Sequence, residues 1–246
     1  MTDGYQQFYE HWRGNEDSTG SKFSNTFPYK LSLGKRPNGV SLLPFHPHAS
    51  EDRILVTNSY EWIFHRLLGL RKGDTDRNRG AVLIGQPGIG AALSITRSPP
   101  RAMTHRRIRS PGKTTFLKFM LARLISLHQV VLLCGPSIAH LFYRGQVYSR
   151  STESCFVNLP TCEDSPYCPI WALVDMDLRK QEPPFVKNIN FWPIQTASPD
   201  NFRWATWRKQ FGAALLGMPL WDMKELMEGY VFSSFSLSVI DPGHVA

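Results

Sequence analysis

A chain of 246 residues with 42% hydrophobic and 12% aromatic content is long enough to bury one large core or two small ones, and its composition is that of an ordinary globular protein. No stretch approaches the roughly 18 consecutive apolar residues of a membrane-spanning helix, so the sequence excludes one. The net charge of +8 would normally suggest nucleic acid or an anionic surface, but residues 91–111 carry Arg97, Arg101, Arg106, Arg107 and Arg109 and no acid. Most of the surplus belongs to that segment, and the charge argument for nucleic acid is correspondingly weak.

Residues 1–50 are rich in Gly, Ser, Asn, Pro and charge, with short apolar patches at Phe8-Tyr9 and Leu42-Leu43-Pro44-Phe45. Such a composition buries little surface against the entropy of ordering, which predicts a flexible, disordered leader, part of it laid along the domain as an extended strand. Met1 to Gln7 lacks the basic start and apolar run of a secretory signal, so the protein is read as intracellular, cytoplasmic or nuclear, with no membrane partner. The folded domain is expected over residues 51–230. Arg53-Ile54-Leu55-Val56 reads as a short strand. Asn58 and Glu61 have the spacing of a capping box, and Trp62, Ile63, Leu67 and Leu70 recur at helical spacing, predicting a helix that stops between Gly69 and Gly73.

Ala81-Val82-Leu83-Ile84 reads as a strand. After the arginine-rich segment, Thr114 to His128 predicts a helix apolar nearly all round, and hence buried. Val130 to Cys134 follows as a buried strand, and Leu141 to Tyr148 as a hairpin turning at Arg144-Gly145. Residues 150–169 read as a surface excursion. Pro169 to Asp177 returns as a core strand ending in acid, and another strand is expected around Ile189 to Thr196. Ser198-Pro199 has the form of a helix start, Gly212 closes that helix, and Asp222 with Glu225 is a second capping box for a short helix ending at Gly229. Residues 231–246 form an irregular tail, read as truncated. Continuously apolar strands alternating with helices predict an α/β fold with a mainly parallel sheet flanked by helices.

The chemistry concentrates where a strand meets a helix. Gly85-Gln86-Pro87-Gly88-Ile89-Gly90 matches the first six positions of the phosphate-binding loop G-x-x-x-x-G-K-[ST], yet the lysine arrives only at Gly112-Lys113-Thr114, with 22 residues between Gly90 and Lys113. Such a loop aims successive backbone N–H groups into an anion-sized hollow at a helix N-terminus. Gly85, Gly88, Gly90 and Gly112 supply its unusual backbone angles, Lys113 its cation and Thr114 a hydroxyl for Mg²⁺. The hollow needs Gly90 beside Lys113, so the interruption is expected to impair it. Ile170 to Val174 delivers Asp175, the candidate Mg²⁺-orienting acid, with Asp177 placed to position an attacking water. Beyond lie Thr196 or Ser198 as a polar contact to a γ-phosphate, Ser198 reading equally as a helix cap, and Arg203, which could reach a γ-phosphate but whose helix, with Arg208 and Lys209, reads first as a solvated basic face. Trp204, Trp207 and Trp221 are read as packing residues, and His65, His128 and His140 as satisfied structural ones. Cys134, Cys155, Cys162 and Cys168 form no C-x-x-C pair, so no metal centre is expected from them.

On these residues the chain resembles the fungal P-loop proteins related to crinkler and retrotransposon-hot-spot NTPases. The resemblance runs from about Arg53 to Gly229. It rests on Arg53 to Thr57, the two loop halves, Trp171 to Asp175, Ser198-Pro199 with Arg203-Trp204, and Met218-Pro219-Leu220-Trp221 before Glu225-Leu226. It implies an ASCE-type ATPase fold in which Lys113, Thr114 and Asp175 hold ATP and Mg²⁺, followed by a further C-terminal part. Two departures stand out: Met176-Asp177 replaces the glutamate usual beside the acid strand, and residues 91–111 have no counterpart. That segment is consistent with a retained intron of 66 nucleotides running from within the Gly90 codon to within that of Gly112, since a GGT codon at Gly90 supplies a donor GT and CCA-GG at Pro111-Gly112 an acceptor AG. Other classes left open are a small-molecule kinase, a non-catalytic module binding a protein partner, and a basic nucleic-acid-binding module using the arginine segment.

Overall fold

The computed structural model describes residues 3–13, 23, 26–34, 53–72, 79–85, 111–152, 169–174, 190–197, 204–219, 222–225 and 227–228. Helix α1 (Asp3–Arg13) is followed by strands β1 (Tyr29–Ser32) and β2 (Arg53–Val56), helix α2 (Asn58–Lys72) and strand β3 (Ala81–Ile84). Next come α3 (Pro111–Ser126), β4 (Val131–Cys134), the hairpin of β5 (Ile138–Tyr143) and β6 (Gln146–Ser151), β7 (Ile170–Val174), β8 (Phe191–Ala197), α4 (Ala205–Phe211) and β9 (Ala214–Gly217). The fold is α/β. Seven strands lie in the order β6-β5-β4-β7-β8-β3-β9, and every pairing from β4 to β9 is parallel, while β5 and β6 add an antiparallel edge. β1 and β2 pair antiparallel in a separate two-stranded sheet.

The sheet is covered on the face that carries Leu83, Leu133, Leu173 and Ile194, all buried against α2 and α3. In α3 the side chains of Phe116, Leu117, Phe119, Met120, Leu121, Ala122, Leu124 and Ile125 are all fully buried, as the nearly all-round apolar pattern requires. Even Lys118 is 7% exposed. The opposite face holds a second cluster of Leu132, Cys134, Ala172 and Val174, and a third of Val82, Trp204 and Ala213 beneath α4. Trp204 is thus a packing residue, while Arg208 and Lys209 stand exposed on α4. Gly212 closes α4 with φ 66°, the left-handed conformation a glycine adopts freely.

β8 carries Pro193 between two parallel neighbours, a place where a missing N–H normally excludes proline. Gly80, at the entrance to β3, makes this workable: a Cβ there would lie 2.6 Å from the Pro193 carbonyl oxygen. Gly80 also has φ 142°, so both space and backbone call for glycine.

The first 50 residues depart from the expected leader. α1 buries Tyr5, Phe8, Tyr9 and Trp12 in the main core, and β1 buries Leu31. The aromatics recur at i, i+3, i+4 and i+7, so one face of α1 is a continuous apolar stripe. That stripe lies on the hairpin: Tyr5 stacks on His140 with ring centroids 4.0 Å apart, and Tyr5 and Tyr9 both meet Phe142 edge-on. The Gln6 carboxamide donates to Gly145 O and accepts from Val147 N, both at 2.9 Å. The turn beneath is Arg144-Gly145, at φ 46° and 84°, the paired positive angles of a type I′ hairpin. Residues 1–2, 14–22, 24–25 and 35–50 of the leader, the 91–110 segment and the 231–246 tail lie outside the described residues.

Burial under Tyr5 lowers the His140 pKa to about 4, and its Nδ1 lies 2.8 Å from Ser149 Oγ. The unfolded chain binds the proton near pH 6.5 and the folded one only near pH 4. Stability therefore falls as pH drops through that window. Thermal unfolding followed at pH 7, 5.5 and 4.5 should show this loss, and His140→Phe should reduce it. A His140→Phe profile parallel to wild type would refute the assignment.

The Asn58–Glu61 pair does not act as a capping box. Asn58 is already helical, and Glu61 turns inward to accept from Arg123 Nη2 at 3.1 Å and from Tyr29 Oη at 3.3 Å. Arg123 stands 4.2 Å from the Phe23 ring centroid and 5.0 Å from that of Phe64, so the ion pair is walled by aromatics. Burial, with the Glu61 charge beside it, pushes the Tyr29 hydroxyl up from its ordinary value. This cluster ties β1 and α2 to α3. Trp62, placed on the apolar face by spacing, instead points outward at 54% exposure. The second capping box is present: Asp222 N donates to Glu225 Oε2 at 3.1 Å and Glu225 N to Asp222 Oδ1 at 2.8 Å.

Candidate phosphate site at the ends of β3 and β8

β3 ends at Ile84 and α3 starts at Pro111, a residue suited to the first helical position because the N–H it lacks would have no intrahelical acceptor. The parallel ladder aligns Ile84 with Ala197 on one side and with Gly217 on the other. The carboxyl ends of β8, β3 and β9 therefore form one rim, and the first turn of α3 reaches it. β8 separates β3 from β7, whose last residue, Val174, pairs with Gln195. The acid-bearing strand is thus one strand away from the loop strand, with the end of β8 between them.

Lys113 occupies this rim. Its Nζ donates to Ala197 O at 3.0 Å and to Gly85 O at 3.4 Å, so one ammonium touches the ends of two adjacent strands. Helix N-termini carry unpaired N–H groups and the positive end of the helix dipole, and adding a lysine concentrates positive potential at one point. Thr114 follows in the same first turn and is half-buried. Its neighbour Gly112 belongs to that turn as well. The two halves of the split motif, represented by Gly85 and Lys113, meet in space despite the residues between them.

Gly85 does not take the unusual backbone angle that the motif suggests for it. Among the described residues the left-handed glycines are Gly34, Gly80, Gly145 and Gly212, and Gly85 is not one of them. A Cβ at Gly85 would make ordinary van der Waals contact with Met218, 3.4 Å from its Cβ and 3.6 Å from its Sδ, so neither angle nor space demands glycine there. Met218 N donates to Ile84 O at 2.7 Å, extending the β9 ladder past its last strand residue. Met218 is therefore a wall of the site that motif reading missed, as is the Ala197 carbonyl. In the sequence Met218 stands only as part of the Met-Pro-Leu-Trp match, and a backbone acceptor leaves no mark in residue type.

Gly88, Gly90, Asp175, Asp177, Ser198 and Arg203 lie outside the described residues. Among the described residues no three His, Cys, Asp or Glu side chains group closely enough to hold a metal ion, and no helix is long and apolar enough to cross a membrane. Comparison of the chain with protein-family models, with curated proteins and with solved structures returned no match.

Proposed function

We propose that this chain is an ATP-binding P-loop domain whose phosphate affinity is impaired by the interruption between Gly90 and Lys113. The observation that carries the reading is the position of Lys113: its ammonium sits at the start of a buried helix and over the end of a buried parallel strand, within 3.4 Å of Gly85 O. That is where a cation must stand to meet a triphosphate held by a strand–loop–helix unit. The strand order supports it independently, because β8 ends between the loop strand and the strand that leads into Asp175.

In this reading Gly85, Gly88, Gly90 and Gly112 shape the loop, and Lys113 meets the β- and γ-phosphates. Thr114 and Asp175 hold Mg²⁺, which when bound neutralises charge building up on the phosphates. Asp177 positions water, while Ser198 and Arg203 face the γ-phosphate. Calorimetric titration with Mg-ATP should give weak, saturable binding that disappears in Lys113→Ala while circular dichroism stays unchanged. Equal ATP affinity in the two proteins would remove the basis of the proposal.

A further inference from the structure

We infer that Lys113 is a two-position tie: without phosphate it holds the end of β8, and phosphate draws it away, so that occupancy of the site is passed to the chain beyond β8. The inference rests on the phosphate-binding reading above and extends it to regulation.

An ammonium has three N–H donors and no acceptor. Two of its contacts here are neutral carbonyls, Ala197 O at 3.0 Å on β8 and Gly85 O at 3.4 Å after β3. The shorter bond is to β8, not to the strand that opens the loop. Ala197 is the last residue of its strand, opposite Ile84 in the ladder, and lies in the small cluster with Val82, Trp204 and Ala205 on the α4 side of the sheet. Lys113 comes from α3, on the other side. The ammonium thus bridges the two faces over the top of the sheet, and links a helix packed on one face to the strand end that precedes the helix packed on the other.

A phosphate oxygen is a charged acceptor, and its bond to the ammonium adds the attraction of opposite full charges that a neutral carbonyl lacks. A triphosphate arriving at the first turn of α3 therefore outcompetes Ala197 O for the ammonium. The carbonyl at the end of β8 loses its donor, and that loss is felt by the backbone that continues from Ala197. No side chain on β8 has to titrate or move for this to happen.

Carbonyl NMR reads this directly. The sequence holds two Ala-Ser dipeptides, Ala49-Ser50 and Ala197-Ser198, so labelling with carbonyl-¹³C alanine and ¹⁵N serine gives one reporter peak and one internal control. The full-length chain with Mg²⁺ and inorganic triphosphate as probe should show the Ala197 resonance moving to higher field while that of Ala49 stays. Lys113→Ala without ligand should produce the same displacement, and triphosphate should then add nothing to it. Lys113→Arg, which keeps a donor, covers the case in which the alanine variant fails to fold, and its Ala197 resonance should stay nearer the wild-type position. Triphosphate binding seen by ³¹P line shape with an unmoved Ala197 resonance would overturn the tie but leave the phosphate site standing. No binding at all overturns both.

Discussion

Deleting residues 91–112 is expected to tighten ATP binding about 100-fold, which corresponds to about 2.7 kcal/mol. The deletion joins Gly90 directly to Lys113 and restores Gly-Gln-Pro-Gly-Ile-Gly-Lys-Thr-Thr. The anchor points of that loop are already in place, since Ile84 ends a strand whose other three residues are buried and Lys113 lies on a helix whose core residues have no exposed surface. What the deletion adds is the run of oriented amides between them. Displacing such groups by about 1 Å costs on the order of 100-fold in a positioned site, which sets the size of the gain. The gain should vanish when Lys113→Ala is placed in the deletion background. Calorimetry on the four proteins, with and without each change, measures it. Unchanged affinity on deletion would mean that the interruption does no harm. A gain that survives Lys113→Ala would mean that the new site is not the one proposed.

The largest effect on stability is expected at the other end of the chain. Trp12→Ala should cost roughly 3–5 kcal/mol, because a large aromatic in a core leaves a cavity its neighbours fill only in part. Trp12 is 1% exposed and packs against Phe8 and Phe23, which in turn meets Phe119 of α3. A flexible leader would tolerate this change, and removal of residues 1–13 as well. A folded α1 tolerates neither. Urea denaturation gives the number, and a Trp12→Ala protein within about 0.5 kcal/mol of wild type would return residues 3–13 to the status of a tail.

The sequence marked α3, the Arg144-Gly145 hairpin and the strand before Asp175 because each has a local signature: all-round apolarity, a positive-φ dipeptide, an unbroken hydrophobic run. α1 had a signature too, at Tyr5, Phe8, Tyr9 and Trp12, but it was hidden by the polar average of the first 50 residues. β9 offered none. Its four residues, Ala214 to Gly217, form a strand because β3 lies beside them, not because of any alternation of their own. Glu61 misled for a similar reason, since spacing alone does not reveal that Arg123 waits across the helix interface. At the site, Gly85 and Lys113 were legible as residue types, whereas the Ala197 carbonyl became visible only with the fold.

The place of β3 in the sheet has a kinetic consequence. Val82 pairs with Gln195 on one side and Leu215 on the other, so both neighbours of this strand are made long after it. Contacts of such high sequence separation slow folding, and a nascent chain that has passed Lys113 still carries β3 with two open edges. The rim where Lys113 meets Gly85 and Ala197 is therefore among the last parts of the molecule to assemble. A ribosome-bound fragment that stops before Phe191 holds every described residue of the split loop and none of the strands that flank it.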